Sequence, residues 1–206
     1  MITIVDLNMG NVKSVLNMVR HVGFDARISN DTDEILAADR LILPGVGAFD
    51  EAMTRIEQGG LRQSLDTVAL RDRKPVLGIC LGMQLMTRSS EEGQLPGLAW
   101  VDAVTRKFQP GDFPIHLPIP HMGWNTAVAT RDYSLLEGLA ENRFYFVHSY
   151  HVDCRDEAIV LTRTRYGIEF HSAFAAGNII GVQFHPEKSH RFGKQLLKNF
   201  CEGRHA

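Results

Sequence analysis

The 206-residue sequence predicts an α/β protein of three layers: a mostly parallel open sheet, helices on both faces, and added antiparallel strands. Three observations carry this expectation. From residue 2 to residue 86, short apolar runs alternate with stretches of helical periodicity, the pattern of parallel strands joined by crossover helices. One such run, residues 76–80, passes without a breaker into Leu81-Gly82-Met83-Gln84-Leu85-Met86, which predicts a strand, a sharp turn and a helix. Toward the C-terminus, residues 158–164, 169–175 and 179–184 are β-rich runs separated by Gly167 and Gly177-Asn178, residues that favour turns.

In chain order, residues 2–7 are the first strand, and Val12, Val15, Leu16, Val19 and Val22 then recur at helical spacing until Gly23. The intervening turn has neither G-x-G-x-x-G nor a Walker lysine, so Asn11 is expected as a helix cap rather than part of a phosphate cradle. Strands follow at 26–28 and 40–43, the second running into Pro44-Gly45-Val46-Gly47. Phe49, Met53 and Ile56, then Leu61, Leu65 and Val68, mark two helical stretches broken at Gly59-Gly60. Residues 89–93 are a loop leading to an apolar run at 98–104, and residues 109–120, which hold four of the eight prolines, are expected to be irregular. Residues 144–150 are β-rich, and a last helix sets Phe192, Leu196, Leu197 and Phe200 on one face, with Ser189 as its expected cap.

Bulk composition narrows the function. One domain spanning residues 1–206 is expected, and 44% hydrophobic with 22% charged residues is ordinary for a globular chain. A net charge of -2 with no basic patch gives no case for nucleic acid or an anionic membrane, and no apolar run approaches the ~18 residues that span a bilayer. Cys80, Cys154 and Cys201 are odd in number and widely spaced, which argues against a disulfide framework and for a reducing, cytoplasmic setting. The nine histidines, His121, His148 and His151 among them, form no zinc-ligand pattern, so neither metal nor cofactor is expected.

The chemistry points to two stretches. Gly78-Ile79-Cys80-Leu81-Gly82 is a nucleophile elbow with cysteine in place of serine: small neighbours allow the tight bend that exposes the sulfur, and the following helix N-terminus favours thiolate. The alternative is a buried structural cysteine. In Gln183-Phe184-His185-Pro186-Glu187, proline holds His185 extended, so that His185 and Glu187, two apart, project to one side as a base with its orienting acid; a strand-ending turn with a solvated His and Glu is the plainer alternative. The glycines of Pro44-Gly45-Val46-Gly47 either turn N–H groups toward a developing anion or simply turn the chain.

Gly78-Ile79-Cys80-Leu81-Gly82-Met83-Gln84 together with Gln183-Phe184-His185-Pro186-Glu187 resembles the class I, triad-type glutamine amidotransferase family. Pro44-Gly45-Val46-Gly47-Ala48-Phe49 and Pro120-His121-Met122-Gly123-Trp124-Asn125 narrow the resemblance to the glutaminase subunits of imidazole glycerol phosphate synthases. It implies a Cys80-His185-Glu187 triad that hydrolyses glutamine, an oxyanion hole from the N–H groups of Gly47 and Leu81, and substrate contacts from Gly47, Gln84, Ser149 and Tyr150. It also implies a heterodimer with a β/α-barrel cyclase subunit that takes the ammonia into histidine biosynthesis. The sequence departs from the family near Leu7-Asn8, where an aromatic residue or glycine is more usual. That keeps open a glutaminase serving another acceptor, as in surface-sugar pathways, besides a stand-alone cysteine hydrolase.

Overall fold

A computed structural model describes residues 1–114, 116–139 and 141–203. Its first half alternates: β1 (Ile2–Val5), α1 (Val12–His21), β2 (Ala26–Ser29), α2 (Thr32–Leu36), β3 (Arg40–Gly45), α3 (Phe49–Gln58), α4 (Leu61–Asp66), β4 (Val76–Cys80) and α5 (Leu81–Leu85). The second half is β5 (Ala103–Lys107), β6 (His121–Thr126), β7 (Val128–Ala129), β8 (Arg143–His148), β9 (Tyr150–Cys154), β10 (Val160–Tyr166), β11 (Ile168–Ala176), β12 (Ile179–Val182) and α6 (His190–Glu202).

The main sheet runs β2-β1-β3-β4-β12-β11-β10-β7. Pairing is parallel from β2 to β12 and antiparallel from β12 to β7, while β9 joins β11 and carries β5. Helices cover both faces because successive strand residues point to opposite sides. Val5, Leu41, Leu43 and Val76 pack with Phe49, Met53, Ile56 and Leu65 of α3 and α4. Ile4, Ile42, Leu77 and Ile79 pack with Val15 and Val19 of α1 and with Leu196, Leu197 and Phe200 of α6. Full burial of each such side chain stabilises the fold by roughly 1.5–3 kcal/mol. β6 and β8 form a separate two-stranded sheet.

Local expectations meet the structure with three corrections. Asn11 does cap α1, its side-chain oxygen accepting from the Ser14 N–H at 3.2 Å, and the break at Gly59-Gly60 separates α3 from α4. The β-rich run 144–150, however, is two strands: it leaves β8 at His148 and re-forms as β9 at Tyr150, changing sheets at Ser149. The apolar run 98–104 becomes strand only from Ala103, since residues 98–101 instead hydrogen-bond back to Leu85, Met86 and Thr87 behind the elbow helix. Ser189 occupies the position before α6 but makes no capping bond there; its hydroxyl donates to the His185 carbonyl at 2.6 Å. The loop 109–120 carries a short 3-10 turn at Pro110–Asp112, and its residue 115 lies outside the described residues. Among the described residues no helix is long and apolar enough to cross a membrane.

Candidate active site

The parallel strands β3, β4 and β12 end side by side, Gly45 opposite Cys80 and Val182 opposite Ile79, so the glycine loop, the cysteine and the H-P-E corner leave the sheet at one edge. Cys80 has φ 55° and ψ -110°, a conformation L residues rarely adopt, and it holds because the chain on either side is locked. A Cβ on Gly82 would stand 1.7 Å from the Leu43 carbonyl oxygen, so α5 can start this close to β3 only with glycine there. The bend turns the Cys80 sulfur toward a cavity of about 320 Å3 that is also lined by Gly47, Leu81, Gln84, Glu92, Ser149 and Tyr150. Every residue expected at the oxyanion hole and in the substrate pocket therefore borders the same space as the nucleophile. A larger concavity of about 680 Å3 around Arg131, Tyr133 and Leu136 has neither cysteine nor histidine in its lining.

His185 stands behind the cysteine, 2% exposed. Its backbone is extended (φ -102°, ψ 96°), but Pro186–Lys188 is a 3-10 turn, so Glu187 reaches the imidazole by curling back rather than by lying along a strand. The outcome is the one the motif predicts: His185 Nδ1 and Glu187 Oε1 are 2.7 Å apart. Because a carboxylate accepts, Nδ1 carries the hydrogen and Nε2 is left for the sulfur side, buried and without a hydrogen bond. The corner is pinned from β8, where the Tyr145 carbonyl accepts the His185 N–H at 2.9 Å and the Ser189 hydroxyl accepts the Tyr145 N–H at 3.0 Å. Burial is the strongest influence on the ring and favours its neutral form. Cys80 and Glu187 on its two sides outweigh that and raise its pKa to about 10. Burial instead pushes the Cys154 and Cys201 thiols up to about 12, leaving them inert.

Gly47 has φ 105° and sits on the exposed loop between β3 and α3, while Leu81 is the first residue of α5, whose N–H has no partner within the helix. Gln84 is only 4% exposed, and both hydrogen bonds of its Nε2 go to protein, which leaves its oxygen as the group free to meet a ligand. The Ser149 carbonyl accepts from the Phe108 N–H and the Tyr150 carbonyl from His148 and Gln84. Sequence reasoning missed Glu92. One oxygen of this half-buried carboxylate accepts the Phe49 N–H at 3.0 Å, capping α3 from outside, while the residue lines the cavity. Burial, then the neighbouring Asp50, raise its pKa, partly offset by the Phe49 bond. The available signal was the acidic Ser89-Ser90-Glu91-Glu92-Gly93 loop directly after the elbow helix. Among the described residues no group of three or more His, Cys, Asp or Glu is placed to hold a metal ion.

The model of the glutamine amidotransferase class-I family matches residues 3–203. The chain belongs to the class I glutamine amidotransferase family. This amidotransferase is 51% identical over 203 residues to the imidazole glycerol phosphate synthase subunit HisH 2 of Methanococcus maripaludis, covering 98% of this chain and 99% of that one. It is 44% identical to the subunit HisH of Bdellovibrio bacteriovorus, covering 98% and 100%. Among solved structures, PurLQS from Thermotoga maritima matches with a TM-score of 0.75 at 14% identity, covering 98% of this chain and 97% of that one. A second, described as a glutamine amidotransferase, matches with a TM-score of 0.75 at 16% identity, covering 97% of each. At these identities the two structures establish that the amidotransferase shares their fold.

Proposed function

We propose that this amidotransferase is the glutaminase subunit of an imidazole glycerol phosphate synthase, working in the cytoplasm as one domain that releases ammonia from glutamine for a barrel-shaped cyclase subunit. The glutaminase reading rests on one observation above all: an elbow cysteine, a histidine hydrogen-bonded to a buried carboxylate, and an amino-acid-sized cavity meet at one sheet edge. The synthase reading rests on full-length identity to HisH subunits.

In this reading the Cys80 thiolate attacks the side-chain amide carbon of glutamine, and the oxygen becomes an oxyanion held by the N–H groups of Leu81 and Gly47. As the C–N bond breaks, His185 gives its Nε2 proton to the departing nitrogen, so ammonia leaves and a glutamyl thioester remains. His185 then takes a proton from water, the resulting hydroxide attacks the thioester, and the C–S bond breaks to release glutamate and return the thiolate. Glu187 keeps the Nδ1–H tautomer in place and stabilises the imidazolium. At the other end of the substrate, the Glu92 carboxylate and Gln84 oxygen receive the α-ammonium, and N–H groups of the Ser149-Tyr150 segment receive the α-carboxylate, since the carbonyls of that segment are already engaged.

The test is glutamate release by the purified chain, alone and with a cyclase subunit plus its nucleotide acceptor. Release that rises on adding the cyclase, together with formation of imidazole glycerol phosphate, supports the reading. Glutamate release with no ammonia reaching that acceptor would point to another synthase.

A further inference from the structure

Gln183 follows β12 directly and lies beside Cys80 on the neighbouring strand, fully buried. Its Nε2 stands 3.7 Å from the Cys80 sulfur, within hydrogen-bonding reach for sulfur, and its Oε1 is 3.1 Å from Gln84 Nε2. An amide side chain can be turned end for end, and only its neighbours decide which end faces which. Here they decide it. The Tyr150 carbonyl can only accept, so the Gln84 end facing it at 3.2 Å is the NH2 group. That same NH2 faces Gln183, whose near atom must then be the oxygen, and the Gln183 NH2 is left pointing at the sulfur.

The Tyr150 carbonyl is itself held in place by a chain of groups with determined hydrogens, two buried histidines and then the half-buried Asn125. His148 Nδ1–H donates to it at 2.7 Å, which leaves His148 Nε2 as acceptor for His121 Nδ1–H at 2.9 Å. His121 Nε2 in turn accepts from Asn125 Nδ2 at 3.2 Å, and that same nitrogen donates to the Arg165 carbonyl at 3.0 Å. Each link is in the only sense its neighbours allow, and the last donor in the series faces the nucleophile.

We propose that Gln183 is a further catalytic residue, its side-chain N–H donating to the Cys80 sulfur while the Tyr150 carbonyl, through Gln84, sets which end of the Gln183 amide faces that sulfur. The proposal rests on the glutaminase reading above. Sulfur carries negative charge before attack and again as the thioester breaks, so a fixed donor stabilises it at both moments. Gln183 neither gains nor loses a proton.

The experiment compares wild type, Gln183→Met and Gln183→Glu, each assembled with the cyclase subunit. Methionine keeps the volume and removes the donor; glutamate keeps an acceptor for Gln84 and sets a carboxyl group against the sulfur. For Gln183→Met the expected result is a kcat lower by about 10- to 100-fold with the glutamine KM within about two-fold, the rate equivalent of one hydrogen bond to a charged group. Gln183→Glu should lose more. The second readout is the thiolate absorbance of the isolated chain against pH, taken as the difference from Cys80→Ala, whose midpoint should move upward in Gln183→Met. The titratable groups facing the sulfur are His185 with Glu187 behind it, and His148, Tyr150 and Glu92 across the cavity; the methionine variant changes none of them. A kcat and midpoint equal to wild type, or a loss confined to KM, overturns the proposal. If Gln183→Met does not fold, Gln183→Glu decides alone, and wild-type rates in that variant refute the donor role. Failure of the glutaminase reading would look different, as wild type itself would release no glutamate while the thiolate comparison still stood.

Discussion

The parallel and antiparallel halves of this sheet are built from different interiors. Between β3 and β4 the contacts are apolar and the register runs unbroken from Leu41 opposite Val76 to Gly45 opposite Cys80. Beyond β12 polar groups are buried among aromatic and aliphatic ones: Leu161, Phe170 and Phe174 lie in the core beside Thr162 and Thr164, which both hydrogen-bond to Ser172 at 2.8 Å. The histidines His151 and His171 are buried, as are His121 and His148 on the adjoining β6-β8 sheet, and the β10 to β11 register shifts near Thr162. The parallel half brings strand ends to one point and is held by close contact, so it should fail when an atom is added. The antiparallel half walls the pocket and buries neutral histidines within its packing, so it should also fail when a proton is added.

The largest effect should separate the cysteines of the two halves. Cys80→Ala is expected to lower glutamate release by at least about 10,000-fold, the scale seen when a nucleophile is removed. Cys154→Ala, on β9, should stay within about three-fold of wild type, because it removes only a small buried thiol. An electrophilic glutamine analogue should label Cys80 alone, and peptide mapping reads this directly. Labelling of Cys154 or Cys201, with activity kept in Cys80→Ala, would place the nucleophile elsewhere.

Next in size is Gly82→Ala. The added Cβ would lie 1.7 Å from the Leu43 carbonyl, a backbone atom that cannot swing aside, so β3 and α5 must separate. A loss of about 4 kcal/mol or more is expected, at the severe end for single substitutions, together with loss of activity. Urea unfolding checks it. The same change at Gly111, where a Cβ meets nothing within 4 Å, should cost little.

This contrast also explains what could be seen in the sequence. The parallel half was legible because each strand is a short apolar run in an alternating pattern, and because the Gly78-Ile79-Cys80-Leu81-Gly82 bend and the H-P-E motif, each ambiguous alone, occur in one chain. Even there, the way Glu187 reaches His185 was misread, since a 3-10 turn after proline has no apolar period to announce it. The antiparallel half was legible only as β-rich runs. Nothing local says that the chain changes sheets at Ser149, or that β5 pairs with β9 some 45 residues on, because cross-strand partners are set by packing rather than by pattern. Ser189 was assigned a cap by residue type, and a tertiary contact to the His185 carbonyl won instead.

The proton-sensitive half predicts an acid limb in stability. Burial lowers His121 to about 4 and His148 well below 6.5, the latter helped by neighbouring histidines; His151 and His171 are lowered as well, burial leading in both. Below pH 6.5 the unfolded chain binds protons that the folded chain refuses, so stability falls as pH drops from 6.5 toward 4, by up to about 1.4 kcal/mol per pH unit for each such ring. His185 has the opposite sign. Its raised pKa contributes stability in full below 6.5, lost as pH rises toward about 10, so it leaves the acid limb untouched. Urea midpoints between pH 7 and 5 avoid most carboxylate titration. A flat profile there would mean that the buried rings accept protons without disturbing the pocket wall.

The smallest predicted effect lies at the seam. The loop after α5 is stitched to both halves: Asp50 of α3 accepts the N–H groups of Gln94 and Leu95, while Thr105 of β5 bonds the backbone of Ser89 and Glu91. Glu92 is carried between these anchors with one oxygen on the Phe49 N–H, and Oε1 makes no hydrogen bond to the described residues. Glu92→Gln keeps an acceptor for Phe49 and removes only the charge, so the fold should persist within about 1 kcal/mol. If the carboxylate receives the substrate α-ammonium, KM for glutamine should rise about 10- to 100-fold, the value of one charge-assisted bond, with kcat nearly unchanged. A substrate lacking the α-amino group should then be turned over equally by wild type and variant, because neither can make the contact. If the variant discriminates between the two substrates as strongly as wild type does, the α-ammonium is held elsewhere, and Glu92 serves only to join the two halves.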